Sequence, residues 1–124
     1  MKRILFALFG IALLSGCYFD KEDKLYPKPT TPTCDTTTAT FTGTVLPIMM
    51  QSCATSTCHD AVSQSGGYDL TNYAGVKMSV DDGKLIGCIR QDQGYDAMPK
   101  SANKMDDCSI NKIARWVHLG AKND

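Results

Sequence analysis

The sequence predicts an all-α domain of three to five short helices with substantial loop between them. Apolar residues recur at helical spacing in several short segments, whereas the alternating pattern typical of strands is essentially missing. Residues that favour helix caps and turns stand between these segments. The chain has 124 residues, about the length of one domain, which argues against a multi-domain enzyme.

The N-terminal residues are predicted to direct export and not to belong to the fold. Lys2 and Arg3 precede an apolar run over residues 4–14. Eleven helical residues rise roughly 16 Å, which is too short for a bilayer core of about 30 Å. The run is therefore interpreted as a secretory signal. Residues 14–17 read LSGC, which resembles the lipobox of bacterial lipoproteins and implies that Cys17 is acylated.

These features divide the chain into three predicted parts. Residues 1–16 form the signal peptide, residues 17–33 the lipidated cysteine with a Pro/Thr-rich tether, and residues 34–124 the folded domain. A tether of this composition cannot bury enough apolar surface to fold. The expected location is the cell envelope, with the lipid in a membrane, the outer membrane being favoured. The domain would face the periplasm or the cell surface, where thiols can be oxidised.

The charge balance gives no support to a nucleic-acid partner. The chain contains 13 basic and 13 acidic residues, so its formal net charge is zero. Removal of Lys2 and Arg3 with the signal leaves 11 basic against 13 acidic residues, a mature charge of −2. No nucleic-acid binding is therefore predicted.

The first predicted helix covers residues 44–50. Thr44 is a suitable cap, and Pro47 is tolerated only in the first turn of a helix. One apolar face would contain Val45, Ile48 and Met49.

Three further helices are predicted along the domain. The second covers residues 72–80, after a turn at Gly66 and Gly67, and the third covers residues 84–90. The last is the clearest, because Asp106 or Asp107 can cap its start and Gly120 suits the position after its end. Its apolar face would contain Ile110, Ile113, Ala114 and Val117.

The cysteines carry the chemistry of this sequence. Six cysteines in so short a chain indicate disulfides, a metal or a covalent cofactor. Residues 53–59 read CATSTCH, a C-x4-C-H string in which Cys53 and Cys58 offer two thiols and His59 follows directly. Attachment of haem c needs two thiols for its vinyl groups and a histidine for its iron; two intervening residues are usual and four are rarer. The alternative interpretation is a Cys53–Cys58 disulfide beside an exposed histidine.

Met98, in the segment GYDAMPK at residues 94–100, is the candidate sixth ligand of such an iron. A thioether is a soft, neutral ligand, and methionine opposite histidine raises the reduction potential relative to two histidines. Pro99 stiffens this loop. Met105 and His118 stay open as rival ligands, although His118 is expected to face solvent. Core or haem-side packing is expected for Met49, Met50, Met78 and Trp116.

Taken together, these features resemble a small cytochrome c domain of the class I type, and more closely the c-type haem-binding lipoproteins of Bacteroidota. The pattern there is a leading cysteine, a helix with Val-x-Pro-Ile, C-x4-C-H, Gly-Tyr-Asp-Leu, a Met-Pro-Lys loop, and a Trp-containing helix that ends in Gly-Ala. The matching positions here are Cys34, 45–48, 53–59, 67–70, 98–100 and 110–121.

The resemblance implies a cytochrome c-like fold of short helices wrapped around one covalently attached haem c. Cys53 and Cys58 would form the thioether bonds, with His59 and Met98 as the iron ligands. It implies a single-electron carrier whose partners are redox proteins and, through the lipid, a membrane. Because both axial positions are filled, no catalytic residue and no small-molecule substrate is predicted, and the protein is not expected to be an enzyme.

Three cysteines remain, Cys34, Cys88 and Cys108, which allow one disulfide. The first and last helices pack together in class I cytochromes, so the resemblance favours Cys34–Cys108. Cys88–Cys108 is the runner-up, and Cys88 is otherwise a buried thiol. A rival function also stays open, namely a haem-free, disulfide-stapled surface lipoprotein that acts as a binding module.

Overall fold

The computed structural model describes residues 33–100 and 102–124, and the all-α prediction is confirmed there. Within these ranges the chain forms four α-helices and no strand. The predicted signal peptide, Cys17 and nearly all of the tether lie outside the described residues. Among the helices in these ranges, none is long and apolar enough to cross a membrane. The helices are α1 (Leu46–Ser52), α2 (Tyr73–Asp81), α3 (Leu85–Arg90) and α4 (Asp107–His118).

The first helical segment begins earlier than the sequence predicts. A π-helical turn, Phe41–Val45, runs directly into α1, so Thr44 lies inside it and the prediction that Thr44 is the cap is wrong. Thr40 has extended backbone, and its side chain accepts a hydrogen bond from the Gly43 N–H at 3.2 Å. Pro47 lies in the first turn of α1, as predicted, where its missing N–H costs little.

The two middle helices agree closely with the prediction. The α2 helix starts at Tyr73 because the Asn72 side chain caps it, accepting a hydrogen bond from the Gly75 N–H at 3.0 Å. The α3 helix ends where Gln91 adopts a left-handed conformation, with a φ of 59°. One expectation is wrong: Met78 is 42% exposed, because α2 turns Val76 towards the core instead.

The last helix is the best predicted element. Asp106 is its cap, since the Asp106 carboxylate accepts a hydrogen bond from the Ser109 N–H at 2.9 Å. Gly120 follows the helix with a φ of 97°, a conformation that glycine adopts without strain. The buried face differs slightly from the prediction, because Ala114 and Val117 are only partly buried. The fully buried positions of α4 are Ile110, Ile113 and Trp116.

An aromatic cluster joins the π-helical turn, α2 and α4. The ring centroid of Phe41 lies 5.2 Å from that of Tyr73 and 5.7 Å from that of Trp116, distances at which aromatic rings attract. Trp116 is buried, as predicted, and its indole N–H donates to the Lys122 carbonyl at 2.8 Å. On α1, Val45 and Met49 are fully buried. Met50 is 48% exposed and does not pack in the core, so its haem-side packing stays a prediction.

A disulfide ties the start of the domain to α4. Cys34 and Cys108 are bonded, with their Cα atoms 5.4 Å apart, and this is the pair that the resemblance favoured. The same region is also held by hydrogen bonds, since the Thr42 N–H and O–H both donate to the Asp124 carbonyl. Cys88 is a free, half-buried thiol on α3.

Candidate functional site

The C-x4-C-H string forms a closed loop at the end of α1. Cys53 ends the helix, and its N–H donates to the Met49 carbonyl at 2.9 Å. Thr57 then takes a left-handed conformation, which turns the chain back. The His59 N–H donates to the Cys53 carbonyl at 3.2 Å, so the first and last residues of the string are directly bonded. The structure therefore brings Cys53, Cys58 and His59 together in one loop.

Asp60 fastens the loop immediately after the histidine. Its carboxylate accepts hydrogen bonds from the backbone N–H groups of Thr57, Val62 and Ser63 at 2.8 to 2.9 Å. The bonds from Ser63 and Val62 hold the pKa of Asp60 below its usual value, because they stabilise the charged form. Sequence reasoning missed this residue, although an aspartate whose carboxylate accepts from backbone N–H groups two or three residues away is typical of such a turn.

The two thiols of the loop are free but differ in exposure. Cys53 is half-buried and Cys58 is exposed. Burial, with a smaller contribution from the Cys58 thiolate, raises the pKa of Cys53 to about 11, so Cys53 is a protonated thiol at neutral pH. The alternative interpretation of this string, a Cys53–Cys58 disulfide, is not what the structure shows.

His59 has one ring nitrogen that folding leaves unsatisfied. The Nδ1 atom is buried and has no hydrogen-bond partner. Buried polar atoms normally have one, and leaving such an atom unpaired costs about 1–3 kcal/mol. The backbone around it is nevertheless fixed, because the Leu70 N–H donates to the His59 carbonyl at 2.9 Å. A histidine whose backbone is fixed and whose ring nitrogen is unsatisfied fits a residue that is completed by a ligand.

The segment at residues 67–70 connects this loop to α2. The Asp69 carboxylate accepts hydrogen bonds from both the N–H and the O–H of Thr71, which hold the pKa of Asp69 below its usual value. Asp69 also accepts from the Asn72 side-chain amide at 2.7 Å. Gly75 packs directly on this segment, because a Cβ atom there would overlap the Asp69 carbonyl. The loop that holds His59 is therefore built onto the first turn of α2.

Met98 is held by a different element, α3. The half-buried Met98 donates its N–H to the Cys88 carbonyl at 3.0 Å, and its own carbonyl accepts from the Gln91 side chain at 3.5 Å. The Tyr95 ring covers Gly87 so closely that a Cβ atom there would lie 2.5 Å from the ring. These contacts fasten the Met98 loop to the C-terminal half of α3.

The rival ligands occupy other surroundings. Met105 is half-buried and packs against the core ahead of α4. His118 is exposed at the end of α4, as expected. Cys88 remains a thiol beside the Met98 loop, where burial and then the nearby Asp96 carboxylate raise the pKa of Cys88.

The donor set of the loop is two thiols and one imidazole. Across residues 33–100 and 102–124, no group of three or more His, Cys, Asp or Glu side chains could hold a metal ion. A haem supplies four ring nitrogens of its own and takes at most two ligands from the protein, so the residues present fit a haem better than a bare metal ion. Comparison of the chain with protein-family models, curated proteins and solved structures gives no match.

Proposed function

We propose that this protein is an exported, lipid-anchored c-type cytochrome that carries single electrons on one covalently attached haem c. When bound, the haem supplies an iron that cycles between the ferrous and ferric states. The observation that carries the proposal is the hydrogen-bonded loop that presents two free thiols beside a histidine with an unsatisfied buried nitrogen.

Cys53 and Cys58 would hold the haem. Each thiol would add across one vinyl double bond, with its sulfur bonding to one carbon and its proton going to the other, so that no electrons would be gained or lost. Both cysteines are available for this addition because neither is consumed by a disulfide, whereas Cys34 and Cys108 are. The exposed Cys58 is open to the enzymes of attachment, and the half-buried Cys53 lies at the end of α1.

His59 and Met98 would supply the two protein ligands of the iron. His59 is placed by its backbone bonds to Cys53 and Leu70, and Met98 by its bond to α3. With both positions occupied, the protein would offer no open coordination site to a substrate. This favours electron transfer over catalysis.

The predicted anchor would place this electron carrier at the envelope. An acylated Cys17 and a tether over residues 17–33 would let the domain reach at most about 50 Å from the membrane. Redox proteins at or near the same membrane would then be the partners. A mature charge of −2 is compatible with that location.

The test is to express the full chain in a host with the cytochrome c maturation enzymes. We expect a Soret band, a mass increase of one haem, and haem that stays on the chain after denaturation. The Cys53→Ser/Cys58→Ser variant should lose the covalent haem, whereas Cys88→Ser should keep it. A wild-type chain with neither Soret band nor added mass would contradict the proposal and favour the haem-free binding module.

A further inference from the structure

The aromatic side chain beside His59 belongs to Tyr68. Their ring centroids are 6.4 Å apart with an interplanar angle of 56°, within the range of interacting aromatic pairs. Tyr68 is half-buried and packs against the core. It reaches His59 from the segment whose end, at Leu70, is bonded to the His59 carbonyl.

The Tyr68 ring is itself fixed at its far end. Its O–H donates to the Asp82 carboxylate at 2.7 Å, and this bond is the main reason that the pKa of Tyr68 is raised. Asp82 is the residue that ends α2, where its N–H donates to the Met78 carbonyl at 3.0 Å. The Lys84 ammonium lies 5.8 Å from the Tyr68 ring centroid, close enough for a cation–π attraction. The ring is therefore held between the His59 loop and the junction of α2 and α3.

The buried nitrogen of the His59 ring has no hydrogen bond to fix the orientation of that ring. Nδ1 is without a partner, so the backbone bonds fix where the residue lies but not the plane of its imidazole. In metal sites a residue behind the histidine commonly sets that plane by hydrogen bonding. Here the aromatic ring beside His59 is that of Tyr68, and it would set the plane of the imidazole by packing against it.

We propose that Tyr68, held by Asp82, is a positioning residue that sets the orientation of the His59 imidazole plane towards the iron. The inference rests on the proposed function, because it assigns to Tyr68 an effect on the histidine ligand. The packing of the ring would do the positioning, and the hydrogen bond to Asp82 would keep the ring in place.

The first experiment measures the loop directly. In the full chain as purified, Tyr68→Phe should make the Leu70 amide exchange its hydrogen about tenfold faster, since one hydrogen bond that anchors the loop is lost. Tyr73→Phe is the matched control, because it also removes one tyrosine hydroxyl bond, from Tyr73 to the Ala121 carbonyl, away from this loop. Equal Leu70 exchange in wild type and Tyr68→Phe would overturn the inference.

The second experiment reads the histidine plane in the haem-loaded protein. The electron paramagnetic resonance spectrum of a ferric low-spin haem depends on that plane, so Tyr68→Phe and Asp82→Leu should shift or broaden it. Asp82→Asn keeps an acceptor for the Tyr68 hydroxyl and should restore the wild-type spectrum, and Tyr73→Phe should leave it unchanged. Identical spectra in all variants would overturn the proposed role of Tyr68 but leave the proposed function standing. A wild type without a Soret band would overturn the proposed function and this inference with it.

Discussion

The two thiols of the C-x4-C-H loop should differ in reactivity, because Cys53 is half-buried and Cys58 is exposed. Before attachment, Cys58 should react with iodoacetamide at neutral pH at least about tenfold faster than Cys53, whose raised pKa leaves it less than one per cent ionised. Peptide mass spectrometry of the haem-free chain measures both rates. In urea the two rates should become equal, since burial is the cause. Faster reaction of Cys53 in the folded chain would contradict the structure of the loop.

The assignment of Met98 as the iron ligand can be tested against the rival Met105. Met98→Ala should abolish the red charge-transfer band that a thioether gives with ferric haem, and it should lower the reduction potential, because methionine ligation raises it. Absorption spectroscopy and a redox titration measure the two effects. Met105→Ala is the control and should keep the band, because Met105 packs against the core ahead of α4 and has no backbone bond to α3 like that of Met98 to Cys88. Loss of the band in Met105→Ala alone would transfer the role to Met105.

At this scale the sequence predicts the donors better than their surroundings. Cys53, Cys58 and His59 are adjacent in the motif, so their proximity in one loop follows from chain geometry. Met78 was expected inside and is exposed, because a shift of one position on a short helix exchanges a core site for a surface site. Asp60 accepts from backbone N–H groups only two or three residues away, which is a local turn pattern, whereas the Tyr68 hydroxyl bonds Asp82 fourteen residues away, which no local pattern shows.

The start of the last helix was predictable because the side chain of Asp106 determines it, whereas Asn72 was predicted as the first residue of the second helix and is instead its cap. Asn72 and Asp106 each stand one residue before the first helical residue, and both cap it. The start of the first segment was missed because the cap, Thr40, precedes a π-helical turn, a rare element with no distinct sequence pattern. The starts of α2 and α4 are therefore set by a local side chain, whereas the start of the first helical segment has no local pattern of its own.

The cap of α2 predicts a measurable loss of stability. Asn72→Ala should lower the free energy of unfolding by about 1 kcal/mol, because the Gly75 N–H loses its acceptor. The same change also removes the Asn72 amide bond to Asp69, so the loop before α2 should loosen. Urea denaturation followed by circular dichroism measures the change. Asn111→Ala, at an exposed position of α4, is the control and should stay within about 0.5 kcal/mol of wild type.

Alanine substitutions at Gly75 and Gly87 should have different effects on stability, because the atoms next to the two glycines differ. Gly75→Ala forces a Cβ atom into the Asp69 backbone, which cannot move without displacing the His59 loop. We expect the free energy of unfolding to fall by about 3 kcal/mol and haem incorporation to be poor. In Gly87→Ala the atoms nearest to the new Cβ belong to the Tyr95 side chain, which is 45% exposed and can turn away. That variant should fold and bind haem but weaken the Met98 band. Haem content and urea denaturation are measured for both variants. Equal stability and equal haem content in the two would contradict the prediction.

Across the whole domain, contacts between distant parts of the chain form the core that no single short helix can form alone. Phe41, Tyr73 and Trp116 come from the π-helical turn, α2 and α4, and their rings meet in one cluster. Periodicity predicts that each helix has an apolar face, but it does not predict which faces meet. That step came from the resemblance, which paired the beginning of the domain with the last helix. The Cys34–Cys108 bond lies where that pairing places it.

The Cys34–Cys108 disulfide should make a large contribution to the stability of the domain. The disulfide joins residues 74 positions apart, and in the chain-entropy model it restricts the unfolded chain by about 4 kcal/mol. Cys34→Ser/Cys108→Ser should therefore unfold at a much lower urea concentration than wild type, and a reductant should lower the wild-type midpoint towards that of the variant. Cys88→Ser is the control and should tolerate urea nearly as well as wild type, because Cys88 is free. Because the hydrogen bonds from Phe41 and Thr42 to Asp124 remain in the double variant, its core should still form in the absence of urea. An unchanged urea midpoint in the double variant would show that these hydrogen bonds and the aromatic cluster, and not the disulfide, hold the two ends of the domain together.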